Sequence, residues 1–327
     1  MSIRSRSFYC LATLLCLSAA GCTDNTVTEL PYDNSNPVFY DNDWANDYID
    51  WYLMALASAG DIQYLGISTS SSIPPYNRHM VESDLAMQRI NRVTNVTVGR
   101  ASGLQHIPDP VAGTSGHLLR PASDIIEDTK VLPSPGSEQI IAAAHAAQAE
   151  KPLVVIVGGP LTTVANAWLM DHTIADKLIV AWVDNYNHGM TGFNGWSDGW
   201  AAYIVLEQLR LVQFTAVGKP FAQVPKDLLS ALPASPARKR MLESEPDILD
   251  SQGDVDGPPA IPLMRSDYVL TAKRVSFGGW KERDGHQMPL FRDNPDGRAI
   301  VVTKANRDVA TQEWWRAIRN HAAWHTE

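Results

Sequence analysis

Cysteine is almost missing from this chain of 327 residues: the three present, Cys10, Cys16 and Cys22, all lie in the first 22 positions. A chain cut at that point keeps at most Cys22 and forms no internal disulfide, so an exported form has to rely on its core. Positive charge is short too. With 27 Lys and Arg against 36 Asp and Glu the net charge is -9, and the basic footprint that nucleic-acid binding needs is absent. There is no C-x-x-C, no H-E-x-x-H, no serine-centred elbow and no Walker or G-x-G-x-x-G pattern. The Gly158–Gly159–Pro160 turn therefore reads as a tight strand-to-helix connection, not as a phosphate cradle.

What is present begins with a targeting segment. Arg4 and Arg6 precede the apolar run FYCLATLLCLSAA, and the small residues Ala19, Ala20 and Gly21 lead into Cys22. Small residues directly before a cysteine resemble a bacterial lipobox, with an ordinary signal peptide as the alternative. Residues 1–22 are thus expected to be a signal peptide cleaved before a lipid-bearing Cys22, which would place the protein in the periplasm or at the cell surface, anchored to a bacterial membrane. Residues 23–36 are polar and aperiodic, as in a tether, and residues 37–327 are expected to form one domain.

In that domain short apolar runs alternate with helical patterns. PVFY, IQYLGIS, PLVVIV, KLIVAWV, FTAVG and AIVVT read as strands, several rich in Val and Ile without polar alternation, as in strands covered on both faces. Between them DYIDWYLMALASAG, DLAMQRINRV, SEQIIAAAHAAQAE, LTTVANAWLMD, DGWAAYIVLEQLRL and VATQEWWRAIRNHAAW read as helices. The expected class is α/β, a doubly wound, mostly parallel sheet flanked by helices. The proline-rich stretch 220–262 breaks the rhythm and reads as an insertion or flap.

Asp41, Asp43, Asp47 and Asp50 crowd the handover from the first strand to the first helix, at the sheet end where ligands gather in such folds. Each aspartate alone is explained by a helix cap or a solvated loop. Together they repel one another unless a cation or a network of donors compensates them, and a hard cation takes about six to eight oxygens.

The segment YDNDWANDYIDWYLMALASAGDIQYLGIST resembles the N-terminal signature of the inosine-uridine nucleoside hydrolase family, in its longer form D-x-D-M-G-N-D-x-D-D. GGPLTTVANAWLMDHTIADKLIVAW resembles that family's G-P-L-T-N-x-A block, and FNGWSDGWAA its F-N-x-W-x-D-P-x-A-A block, both in order. The resemblance implies a nucleoside hydrolase-like fold with Ca²⁺ as cofactor. It makes Asp43, Asp50, the carbonyl of Thr162 and a late Asp256 the metal ligands, with Asp254 as the alternative late ligand. It makes Asp43 the catalytic base and assigns Asp41, Asn46, Asp47 and Asn194 to the substrate. Without the resemblance, Thr162 reads as a helix N-terminal residue capped by its own hydroxyl and Asn194 as a turn residue.

Two departures bear on the substrate. Gly192 stands where the family has a sugar-binding Glu, and Ile49 where it has an Asp that contacts the ribose. His188 is the nearest local candidate for an acid toward the leaving group, and Trp44, Trp182, Trp196 and Trp200 lie in or beside the three blocks. The resulting expectation is a calcium-dependent hydrolase of an N-ribosyl or related glycosidic bond, acting on a small glycoside or nucleoside, with no nucleic-acid partner and with room for an oligomer. A surface lipoprotein that binds a carbohydrate or ribose without cleaving it is the alternative.

The leader makes a direct prediction. Mass spectrometry of membrane-fraction protein is expected to show an acylated N-terminal Cys22, and Cys22→Ala to release soluble protein; an unmodified N-terminus at another residue contradicts the lipid anchor.

Overall fold

A computed structural model describes residues 25–45, 48–71, 78–184, 190, 192–215, 222–243 and 253–319. Strand β1 (Pro37–Asn42) is followed by helix α1 (Ile49–Ala59), β2 (Gln63–Thr69), α2 (Arg78–Ala101), β3 (Pro110–Ala112) and α3 (Pro135–Ala146). The middle of the chain continues the alternation with β4 (Leu153–Val157), α4 (Thr162–Met170), β5 (Leu178–Asp184), α5 (Phe193–Ser197), α6 (Gly199–Gln208) and β6 (Arg210–Thr215). A small ribbon of β7 (Ala222–Gln223) and β8 (Gly253–Asp254) brackets α7 (Lys226–Ser230) and α8 (Pro236–Glu243). The chain then forms β9 (Val269–Arg283), β10 (His286–Asp293), β11 (Ala299–Ala305) and α9 (Arg307–Arg319).

Nine strands make one sheet in the order β10-β9-β11-β6-β5-β4-β1-β2-β3. From β11 to β3 every pairing is parallel, while β9 joins β11 and β10 antiparallel at one edge. The sheet is the mostly parallel, helix-flanked α/β sheet that the alternation of patterns leads one to expect. Period-two geometry divides its apolar residues between two cores. Val38, Tyr40, Val154 and Ile156 pack on one face with α1, α8 and α9; Phe39, Leu153, Val155 and Val157 pack on the other with α3, α4 and α6. Strands covered on both sides have no polar face to show, which is why β4 and β5 read as unbroken apolar runs.

Two elements differ from the sequence reading. The stretch expected to end a helix at Leu211 leaves the helix after Gln208, and residues 210–215 form β6, wider on its N-terminal side than the expected FTAVG, of which 216–218 lie outside the described residues. The apolar Leu211, Val212 and Phe214 are all buried, so lateral pairing with β5 and β11 overrides the helical continuation. The β9–β10 hairpin was not foreseen. Its residues are mostly half-exposed or exposed, and such edge strands carry little apolar periodicity.

Helix α2 buries a polar stripe beside the apolar Leu85 and Val96. Asp84, Gln88, Arg92 and Asn95 form one polar stripe along it and all four are buried, while Met87, Ile90 and Val93 are 52%, 67% and 47% exposed.

Candidate functional site

The parallel strands β1, β4 and β5 end side by side, and the turn that follows β4 crowds the end of β1. A Cβ on Gly158 would come within 2.6 Å of the Asn42 side chain, and one on Gly159 within 2.8 Å of the Asp43 carboxylate carbon. Only glycine fits both places without a shift, so the G-G-P turn makes room for the end of β1. Trp182 is wholly buried on β5 and its indole N–H donates to the carbonyl of Gly159 at 2.8 Å, which fixes the turn from beneath.

Asp41 is fully buried in the last part of β1 and accepts hydrogen bonds from the hydroxyls of Ser68 and Ser70, at 2.5 and 3.2 Å. Burial pushes its pKa up to about 6 against the downward pull of those hydroxyls. Asp43, just beyond the strand, is 5% exposed and stands higher, at about 8. Burial is the main cause, and the nearby charges of Asp84 and Asp41 add to it. Asp84 comes from the inward stripe of α2 and accepts from the hydroxyl of Ser71 at 2.9 Å.

Asp50 has a different setting. It forms a buried ion pair with Arg92, and its second oxygen accepts from the side-chain amide of Asn95 at 3.0 Å. Arg92 is fully buried, donates also to the carbonyl of Asn42 at 3.3 Å, and lies 5.0 Å from the centre of the Tyr40 ring.

The late loop returns to the same strand end. Asp256 accepts from the side-chain amide of Asn42 at 3.1 Å, although 214 positions separate them. Thr162 opens α4, but its hydroxyl does not cap that helix; it donates at 2.7 Å to Asp198, the buried N-cap of α6. The amide nitrogen of Asn194 donates to the carbonyls of Gly158 and Val183, at 2.6 and 3.0 Å, tying α5 to the ends of β4 and β5. Asn46, Asp47 and His188 lie outside the described residues. Trp196 and Trp200 line a separate cavity of about 310 Å³ with His117, Arg120, Trp280 and His286.

The structure therefore gathers Asp41, Asp43, Asp256 and Asn194 around the ends of β1, β4 and β5. Sequence reasoning missed Arg92, Asp84 and Asn95, which sit at helical spacing on one face of α2. It also missed Asp184, a fully buried carboxylate at the end of β5 that accepts from the backbone N–H of Gly192 at 3.1 Å. Ile49, the other departure from the family pattern, is a fully buried core residue at the start of α1.

With this geometry in hand, comparison with known proteins is informative. The family model for inosine-uridine preferring nucleoside hydrolases matches residues 38–254. The chain belongs to the inosine-uridine preferring nucleoside hydrolase family. Family membership makes it an N-glycosidic bond hydrolase, of a family that is metal-dependent. Solved structures agree in fold: a plant nucleoside hydrolase has a TM-score of 0.62 at 13% identity, over 87% of this chain and 99% of that one. An inosine-guanosine nucleoside hydrolase gives 0.62 at 14%, over 87% and 98%, and an inosine-uridine preferring nucleoside hydrolase from Bacillus anthracis 0.57 at 15%, over 87% and 99%. No curated protein matches the chain in sequence.

The family's metal can be tested against these residues. Both oxygens of Asp50 already have partners, one of them cationic, and among the described residues no three His, Cys, Asp or Glu side chains come together as a metal-binding group. The expected set of Asp43, Asp50, Asp256 and the carbonyl of Thr162 does not fit a shared ion.

The close approach at the G-G-P turn is open to a simple test. Gly159→Ala is expected to lose about 1–3 kcal/mol by overpacking against Asp43 and to lower hydrolytic activity with it. An unchanged denaturation midpoint contradicts the reading.

Proposed function

We propose that the chain hydrolyses an N-ribosyl or related glycosidic bond with Asp43 as the general base on the attacking water. The observation that carries this reading is the setting of Asp43: a buried carboxylate at the end of a parallel strand, with its pKa raised to about 8. A base in that range is well matched to deprotonating water near neutral pH. Asp43 takes a proton from water as the water oxygen bonds to the anomeric carbon, while the bond from that carbon to the leaving nitrogen breaks through an oxocarbenium-like transition state. Asp41, held by Ser68 and Ser70, supports Asp43 as a buried neighbouring charge.

The substrate reading follows from Gly192 and Ile49. Both replace side chains with which the family is expected to hold the sugar, so ordinary nucleosides should be poor substrates and a wider panel of ribosides better ones. Asp184 on β5 accepts from the backbone N–H of Gly192, the position where the family has its Glu. Calcium is the finer part of the expectation. With Asp50 paired to Arg92, the expected set keeps Asp43, Asp256 and the carbonyl of Thr162 as donors toward calcium. A lipid-anchored position in the periplasm or at the cell surface completes the proposal, supported by the N-terminal sequence.

Asp43→Asn is expected to lower kcat/KM on a chromogenic riboside by about 10²–10⁴-fold. In the wild type, kcat/KM should rise with pH through neutrality and level off above about 8, where Asp43 is deprotonated. Stability should run the other way. The folded chain holds the Asp43 proton up to about 8 while the unfolded chain releases it near 3.8, the ordinary value, so stability falls as pH rises across that window. Asp43→Asn should remove that decline. A wild type that binds a riboside yet cleaves no member of the panel contradicts catalysis and favours the binding protein.

A further inference from the structure

The polar face of α2 points into the protein, and burying polar groups is unfavourable unless each finds a partner. Each does. Asp84 accepts from Ser71, the side-chain oxygen of Gln88 accepts from the backbone N–H of Ala45 at 3.1 Å, and Asn95 donates to the carbonyl of Ala45 and to Asp50. Arg92 stands at the centre of this stripe, between Asp50, the Asn42 carbonyl and the Tyr40 ring. Its charge also acts favourably on Asp41 and Asp43.

We propose that Arg92 is the resident cation of this acidic cluster, balancing its charge in place of a divalent ion, and that the wild-type protein neither retains nor needs calcium for its fold. A guanidinium suits the role because it stays protonated when buried, is weakly hydrated and directs several donors in fixed directions. A divalent ion drawing on Asp50 would have to break the buried pair and then lie against a fixed positive charge, which in a low-dielectric interior is strongly unfavourable. Arg92 touches no reacting atom in the proposed reaction. It is a positioning residue that holds Asp50 and the end of β1.

The test needs no turnover, so its failure is distinct from failure of the hydrolase reading. Elemental analysis of the purified protein is expected to find no stoichiometric divalent metal, and the melting temperature to be unchanged by EDTA or by excess calcium chloride. One equivalent of tightly held calcium, or a melting temperature lowered by EDTA, overturns the proposal. Arg92→Met is expected to lower the melting temperature, and Asp50→Asn added to Arg92→Met to recover part of the loss, because the uncompensated carboxylate goes with it. Losses that simply add overturn the charge-balancing role. The metal measurements on wild type stand even if Arg92→Met does not fold.

Discussion

Buried negative charge at the end of β1 is the constraint on which the rest of this structure depends. Asp41, Asp43 and Asp50 are all at most 5% exposed, within ten positions of one another. Carboxylates taken out of water have three ways to persist: to accept hydrogen bonds, to pair with a cation, or to hold a proton. Each route is used here. Asp41 accepts from two serines at the end of β2, Asp50 pairs with Arg92, and Asp43 is left with the strongly raised pKa.

That division of roles reshapes the elements around it. Helix α2 gives its polar stripe to the interior and leaves Met87, Ile90 and Val93 outside, the reverse of an ordinary surface helix. The turn after β4 has two glycines because the end of β1 occupies the space that side chains would need. Farther along the chain, Asn194 and Trp182 bind the carbonyls of that same turn, so the three family blocks meet as one mechanical unit. Asp43 is thereby set just beyond the end of an interior strand of the sheet, held in place by its neighbours.

The family's fold surrounds a strand end whose side chains depart from the family pattern at two positions. Where the family pattern offers an Asp, Ile49 is core, and where it offers a Glu, Gly192 donates its backbone N–H to Asp184. Carboxylates and a cation are still present, but Asp84, Asp184 and Arg92 come from positions outside the shared motifs.

Much of this was legible from the sequence because it is local. Strands buried on both faces announce themselves as Val- and Ile-rich runs, and β1, β2, β4, β5 and β11 were visible in that way; the three family blocks likewise placed Asp41, Asp43 and Asn194 near one site. The mostly exposed hairpin β9–β10 and the start of β6 were not, since lateral pairing partners distant in the chain decide them. The meaning of Arg92 was the least legible of all. In the sequence it is a charged residue at helical spacing with Asp84, Gln88 and Asn95, a pattern that fits a solvated face equally well. Periodicity determines which residues share a face, but whether that face meets water or Asp50, 42 positions earlier in the chain, is decided only when the helix packs against the sheet.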